Sequence, residues 1–238
     1  MKLFRIVLVE TSHPGNIGSA ARAMKTMGLS DLVLVSPKHF PADGATAMAA
    51  GAEDLLGAAK IVPSLAEALQ GCVRAYAMTA RQRTLANPPA GLREAAQEAA
   101  GIVAGDDRIA FVFGRERSGL TNAEIDLCHR IVHIDANPEY PSLNLAAAVQ
   151  LVAYELRVAR ADDNALPEEL RDLPTAEDIE RFYGHLEQVL IEIDFLNPDN
   201  PRLLMRRLRN LFDRAELDSN ELNILRGVLA HVQKQPKS

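Results

Sequence analysis

The sequence predicts an α/β protein: a parallel sheet covered by helices, followed by a small helical extension. Three observations predict it. Short apolar runs rich in branched residues alternate with helix-like segments from Phe4 to about Ala159. Polar loops bearing Gly, Asn, Ser, Thr or Arg follow the first, fourth, fifth and sixth runs, but not the second and third. An acidic, proline-bearing stretch then precedes three helix-like segments with no strand among them.

Residues 4–9 read as a buried strand, and Pro14-Gly15 turns the chain into a helix that Gly28 ends. Residues 32–35 are a second strand, and residues 45–59 one alanine-rich helix. A short strand at 60–62 and a short helix capped by Ser64 follow. Residues 73–77 form the fourth strand and run into MTARQRT; residues 92–103 are helical. Residues 109–113 form the fifth strand and run into GRERSGLTN, where Thr121 and Glu124 make a capping box. Residues 131–134 are the sixth strand. Asn137, Pro138 and Pro141 then hold the backbone out of a helix. Ser142 stands where the next N-cap is expected, ahead of Leu143, Leu145, Val149, Val152 and Leu156.

Residues 161–174 lack helical periodicity and read as an acidic linker between a domain at 1–160 and a helical extension at 175–238. Thr175 and Asp178 open the extension with a capping box, and apolar residues from Ile179 to Ile193 follow at helical spacing. Three such helices are small for a core of their own, so they are expected to pack on something else. The net charge of −6 hides a block: residues 161–180 hold eight acids against the single Arg171, leaving the remainder near neutral. Within that remainder Arg202, Arg206, Arg207, Arg209 and Arg214 face only Asp213. Arg202, Arg206 and Arg209 share one helix face, with Leu204, Leu208 and Leu211 on another to dock it. Such a stripe suits a phosphate backbone, or else is an ordinary solvated face.

Several classes are disfavoured. The opening MKLFRIVLVE does not read as a signal peptide, and no apolar run reaches the length of a membrane span. Cys72 and Cys128 are isolated, and the six histidines form no HExxH pattern, so no metal site is expected and a reducing cytoplasm fits. Neither GxGxxG nor a Gly-Lys-Ser/Thr loop is present, which counts against a nucleotide-dependent oxidoreductase or a phosphate-loop enzyme.

Three loops carry candidate chemistry, and each has a bland alternative. Asn16 and Gly18 lead to Arg22, but Asn16 also suits a helix N-cap. Gly114 and Gly119 flank Arg115-Glu116-Arg117, where Glu116 also suits pairing with its neighbours. Ser142 and Asn144 end the third loop, where both suit capping.

Together, NxGxxxR, FGxExxGL and NPxxxSLN after strands one, five and six resemble the SpoU-type RNA 2′-O-ribose methyltransferases of the SPOUT superfamily. VETSHPGNIGSAARAMKTMGL, VFGRERSGLTN, NPEYPSLNLA, RFYGHLEQ and ELNILRG are similar to its J-type tRNA cytidine/uridine branch. The resemblance implies a trefoil knot, S-adenosyl-L-methionine as cofactor, and an obligate homodimer with active sites at the subunit interface. It implies a tRNA substrate modified at the first nucleotide of the anticodon loop, position 32. Asn16, Arg22, Glu116, Ser142 and Asn144 match the family's catalytic positions. Met78, Thr79, Ala80, Gly114, Ile134, Pro141, Ser142 and Leu143 fall on its cofactor loops. Arg22, from the same or the partner subunit, would orient the 2′-hydroxyl, and Glu116 would anchor Arg22 or the loop. A catalytically silent RNA-binding homologue, or an enzyme for another tRNA or rRNA site, remains the alternative.

Overall fold

Seven parallel strands form one sheet in the order β3-β2-β1-β6-β4-β7-β5. The strands are β1 (Phe4–Val9), β2 (Asp31–Val35), β3 (Lys60–Val62), β4 (Cys72–Met78), β5 (Ala90–Gly91), β6 (Arg108–Phe113) and β7 (Arg130–His133). This computed structural model describes residues 3–80, 89–102, 108–161, 172–199 and 203–234. They form two compact units, one ending at Ala161 and one beginning at Asp172.

The central strands are buried on both faces, which explains their continuous apolar runs. Tyr76 and Phe111 stack at 4.8 Å between ring centroids within that core. Arg5 is the exception inside β1, and it is fully committed. Its Nε donates to Asp31 at 3.0 Å, and its Nη1 donates to the carbonyls of Ala68 and Gln70 at 2.7 and 2.9 Å. Those bonds satisfy a buried charge and tie the end of α4 (Leu65–Ala68) to the sheet.

The helix expected at 45–59 is two: α2 (Asp43–Ala49) and α3 (Glu53–Ala58). Ala50 and Gly51 both take positive φ, and Lys25 holds the break by donating to Gly51 O and Asp54. Gly18 in α1 (Pro14–Thr26) faces α2 so closely that a Cβ would lie 2.0 Å from Ala45 O. That glycine serves helix packing rather than a ligand. A seventh strand, β5, escapes sequence reading because two residues show no period. Two strands in, β4 is bulged between Cys72 and Arg74, and the ring of His129 adds to its ladder: Ala75 N donates to His129 Nδ1 at 3.1 Å.

The remaining helices of this unit are α5 (Leu92–Ile102), α6 (Asn122–Asp126) and α7 (Leu145–Ala161). Thr121 and Glu124 form the expected capping box on α6.

The second unit holds α8 (Ala176–Glu192), α9 (Leu204–Ala215) and α10 (Ser219–Gln233), with capping boxes at Thr175/Asp178 and Asp218/Glu221. These helices have a core of their own, contrary to the expectation from size. Phe182, Tyr183, Leu186 and Leu222 are buried, with Met205, Leu208 and Phe212 of α9 packed against them. Phe212 meets Phe182 edge to face at 5.1 Å. The inward face of α9 is therefore 205, 208, 209 and 212, not the expected 204, 208 and 211; Leu211 is exposed. The proposed linker falls mostly outside the described residues.

Candidate active site

The loop after β6 is a tight return. Arg115 and Gly119 exchange backbone hydrogen bonds of 3.3 and 2.8 Å, leaving 116–118 at the tip. Gly114 makes the return possible: a Cβ there would lie 2.2 Å from Gly119 C and 2.3 Å from Leu120 N. Arg115 fixes the base of the loop. Its guanidinium forms a two-bond fork with Glu124, both bonds 3.0 Å, and also pairs with Glu10. Glu10 directly follows β1 and has a positive φ of 46°.

Glu116 does not pair with its neighbouring arginines, the simpler arrangement the sequence allows. Its Oε2 accepts from Ser12 N and Ser12 Oγ at 3.2 and 3.0 Å; its Oε1 accepts from His13 N at 3.1 Å and Asn16 Nδ2 at 3.0 Å. Burial would raise its pKa, but the bonds from Asn16 and from backbone N–H groups outweigh that and bring it down to about 2. Glu116 thus anchors the loop after β1 as a carboxylate. It does not bond Arg22.

Asn16 lies in the first turn of α1, not at its cap; His13 holds that position, with Pro14 next. The Asn16 amide bridges two loops. Nδ2 donates to Glu116, and Oδ1 accepts from Asn144 Nδ2 at 3.0 Å. Asn144 in turn caps α7, its Oδ1 accepting from Ala146 N and Ala147 N at 2.9 and 3.4 Å. Asn144, not Ser142, is therefore the helix cap: α7 starts at Leu145, three residues beyond Ser142. The carboxylate at one end and the backbone donors at the other fix both amide orientations.

Beside this chain of bonds lies a cavity of about 360 Å³. Met78 at the end of β4 and Thr79 and Ala80 after it line the cavity, with Gly114 and Glu116 from the return loop and Ile134 just after β7. Pro141, Ser142 and Leu143 close it from the loop before α7. All eight residues assigned to the cofactor loops by resemblance thus line one cavity. It sits beyond the carboxyl ends of parallel strands, where ligands bind in such sheets. Its volume is within the range for small-molecule sites, about 300–1,000 Å³, and its lining mixes apolar side chains such as Met78, Phe113, Ile134 and Leu143 with polar ones such as Thr79, Glu116 and Ser142. That size and mixed lining fit a nucleoside-sized cofactor.

Arg22 stands apart. It is exposed on α1, does not line the cavity, and its guanidinium bonds no described residue. Arg202 lies outside the described residues, and Arg206 is half-buried. Arg209 is turned inward: it forks onto Glu180, with one bond of 2.9 Å, and lies 4.2 Å over the Tyr183 ring. It is a structural cation of the helical unit rather than part of an open basic stripe. Among the described residues no group of three or more His, Cys, Asp or Glu is placed to hold a metal, and no helix is long and apolar enough to cross a membrane. Sequence reasoning misses Ser12, Glu10, Arg115 and Glu124 as site residues. Only the positive φ of Glu10 and the double use of Glu124 mark them, and neither is visible in a sequence.

An all-parallel sheet with one cavity lined from the ends of β4, β6 and β7 and the loops that follow them defines an α/β protein of the ligand-binding, strand-end class. The chain belongs to the SpoU rRNA Methylase family, whose profile matches residues 3–154. Residues 177–238 match the profile of the tRNA methyltransferase TrmJ C-terminal domain. The tRNA (cytidine/uridine-2′-O-)-methyltransferase TrmJ of Salmonella typhimurium is 52% identical over 237 residues, covering 98% of this chain and 97% of that one. The crystal structure of TrmJ from Z. mobilis ZM4 is 35% identical, with a TM-score of 0.83, covering 97% of this chain and 99% of that one. The SpoU methyltransferase AviRb from Streptomyces viridochromogenes, in complex with AdoMet, shares the fold alone: identity is 20%, TM-score 0.54, and coverage 68% and 62%.

Proposed function

We propose that this chain transfers a methyl group from S-adenosylmethionine to a ribose 2′-hydroxyl of tRNA, on cytidine or uridine at the first nucleotide of the anticodon loop, position 32. The observation that carries the reading is the chain of bonds from Asn144 through Asn16 to Glu116, which ties three separate loops together, with Glu116 itself and the neighbours of Asn144, Leu143 and Leu145, lining one cavity. Near-full-length similarity to a tRNA 2′-O-methyltransferase supports it.

When bound, the cofactor supplies an electrophilic methyl on a sulfonium. The chain supplies alignment and a dry wall. Met78, Thr79, Ala80, Gly114, Ile134, Pro141, Ser142 and Leu143 hold the cofactor. Glu116, Asn16 and Asn144 keep the loops in register, with Ser142 at the rim. Arg22 orients the 2′-hydroxyl or its neighbouring phosphate and stabilises developing alkoxide charge. Its guanidinium offers N–H donors and no acceptor lone pair, so it acts as a donor rather than a base.

The active unit in this reading is a homodimer in the cytoplasm, with Arg22 reaching the cavity of the partner subunit. The exposure of Leu151, Tyr154 and Val158 on α7, three and four residues apart, supports a covered helix face. The family's trefoil knot belongs to the same reading, as does the division into a catalytic domain at 1–160, a linker at 161–174 and a tRNA-holding extension at 175–238.

The deciding experiment is transfer of labelled methyl to unmodified tRNA, with and without Arg22→Ala. Wild-type protein should modify position 32. The variant should lose about 10²–10³-fold in rate while still binding cofactor. A protein that binds cofactor and tRNA but transfers nothing is instead a silent homologue.

A further inference from the structure

One large side chain next to the cavity is left open. Tyr140 is 79% exposed, and among the described residues its ring and hydroxyl have no partner. Its place is nevertheless defined. Tyr140 N donates to Asn137 O at 2.9 Å, Glu139 N donates to Asn137 Oδ1 at 3.0 Å, and Pro141 restricts the backbone before it. The next three residues, Pro141, Ser142 and Leu143, line the cavity, and Asn144 carries the bond to Asn16. Tyr140 therefore stands within about 7 Å of backbone from Ser142.

What could cover this ring follows from charge and chemistry. From 135 to 144 the loop holds Asp135 and Glu139 and no Lys or Arg. It repels phosphate, so an RNA contact here is to a base and not to the backbone. Single-stranded loops are read by splaying bases onto aromatic side chains. A ribose presented to the cavity beside Ser142 and Leu143 leaves its base to find a surface outside it.

We infer that Tyr140 is the platform on which the base of the target nucleotide stacks, an inference that rests on the proposed tRNA reading. Stacking uses the π-face and ignores the exocyclic edge. Cytidine and uridine differ at that edge and not at the face. A stacking platform therefore accepts both pyrimidines without a hydrogen-bonding code.

The test uses the full-length protein and unmodified tRNA, with Tyr140→Leu and Tyr140→Phe. A second tRNA carries a fluorescent cytidine analogue at the target nucleotide, whose emission falls on stacking. Tyr140→Leu should raise KM for tRNA by about 5- to 150-fold and abolish the quenching, and Tyr140→Phe should restore both. Cofactor affinity and sedimentation should match wild type in both variants. Normal KM and quenching in Tyr140→Leu, alongside normal wild-type transfer, overturn the stacking role and leave the methyltransferase reading intact. A dissociated dimer in Tyr140→Leu also overturns it, by placing the ring in a subunit contact. Quenching by a wild-type protein that transfers no methyl supports the platform and defeats the activity instead.

Discussion

Asn144 Nδ2 donates to Asn16 Oδ1 across 3.0 Å, joining side chains 128 positions apart. Each amide is used at both ends: Asn144 also caps α7, and Asn16 also holds Glu116. The sheet thereby couples the first turn of α1, the return loop and the start of α7 through three side chains. Capping and coupling are separable chemically. In Asn144→Asp the cap survives, since an aspartate oxygen accepts from Ala146 N equally well and sits favourably at a helix N-terminus. The donor to Asn16 is lost, and two carboxylates then compete for one Asn16 amide. Thermal stability should stay near wild type, while methyl transfer drops at least about tenfold. Asn144→Ala should lose both transfer and about 1 kcal/mol of stability. Equal transfer in wild type and Asn144→Asp would show that the bridge is ornamental.

The four donors on Glu116 set a pH dependence. Its folded pKa is about 2 against an ordinary 4.5, a depressed carboxylate. The stabilisation it provides is complete above pH 4.5 and is lost as pH falls from there toward about 2. Glu116→Gln removes the titration and brings an amide N–H against four existing donors. The stability of the variant should be lower at neutral pH and should approach wild type on acidification across that window. Urea midpoints at pH 7, 4 and 3 check this; parallel curves would count against the assignment.

His129 gives a second acid response of different origin. Burial of its ring, with the Arg74 guanidinium nearby, holds its pKa down to about 3, against 6.5 unperturbed. Above pH 6.5 both folded and unfolded chains carry it neutral. Below that, the unfolded chain takes up a proton that the folded chain refuses, so stability falls as pH drops from 6.5 toward 3. The slope is at most about 1.4 kcal/mol per pH unit for one proton. His129→Asn keeps an acceptor for Ala75 N and removes the charge. The variant should lose this slope between pH 6 and 4 in denaturant titrations.

Much of this site is legible in the sequence because it depends on local chemistry. Thr121 with Glu124 and Thr175 with Asp178 obey a four-residue rule and form as read. Buried strands announce themselves as unbroken apolar runs. Ser142 passes for a cap because two capping residues stand two apart, and only the bond to Asn16 decides for Asn144. The break at Ala50-Gly51 is hidden because alanine alone gives no reason to stop a helix; a lysine on α1 holds it open. Arg115 is unreadable for a similar reason. Its partners, Glu10 and Glu124, lie 105 and 9 positions away, and only the sheet order brings both to one guanidinium.

The arginines of α9 divide into two populations with opposite expected effects. Arg209 forks onto Glu180, covers the Tyr183 ring, and sits beside Phe212 in the face that packs inward. Loss of its charge and stem removes a cation–π interaction and a half-buried ion pair together. Arg209→Ala should therefore destabilise the helical unit by about 1–2 kcal/mol. Arg207 and Arg214 are exposed and seven residues apart, two turns along one face of the same helix. If this unit holds tRNA, they are the cations open to phosphate, since Arg209 is engaged internally. Replacing both by Ala should leave stability within error but weaken tRNA binding. The slope of log affinity against log salt should become shallower by about 0.7–0.9 for each phosphate that is no longer neutralised. Cofactor affinity should not change, because the cavity proposed to hold it is lined wholly by residues of the first unit. Affinity measured at two salt concentrations, with thermal melts on the same samples, separates the two populations. An unchanged salt slope in the Arg207/Arg214 double variant would remove this face from the tRNA reading, and an Arg209→Ala protein as stable as wild type would contradict its structural role.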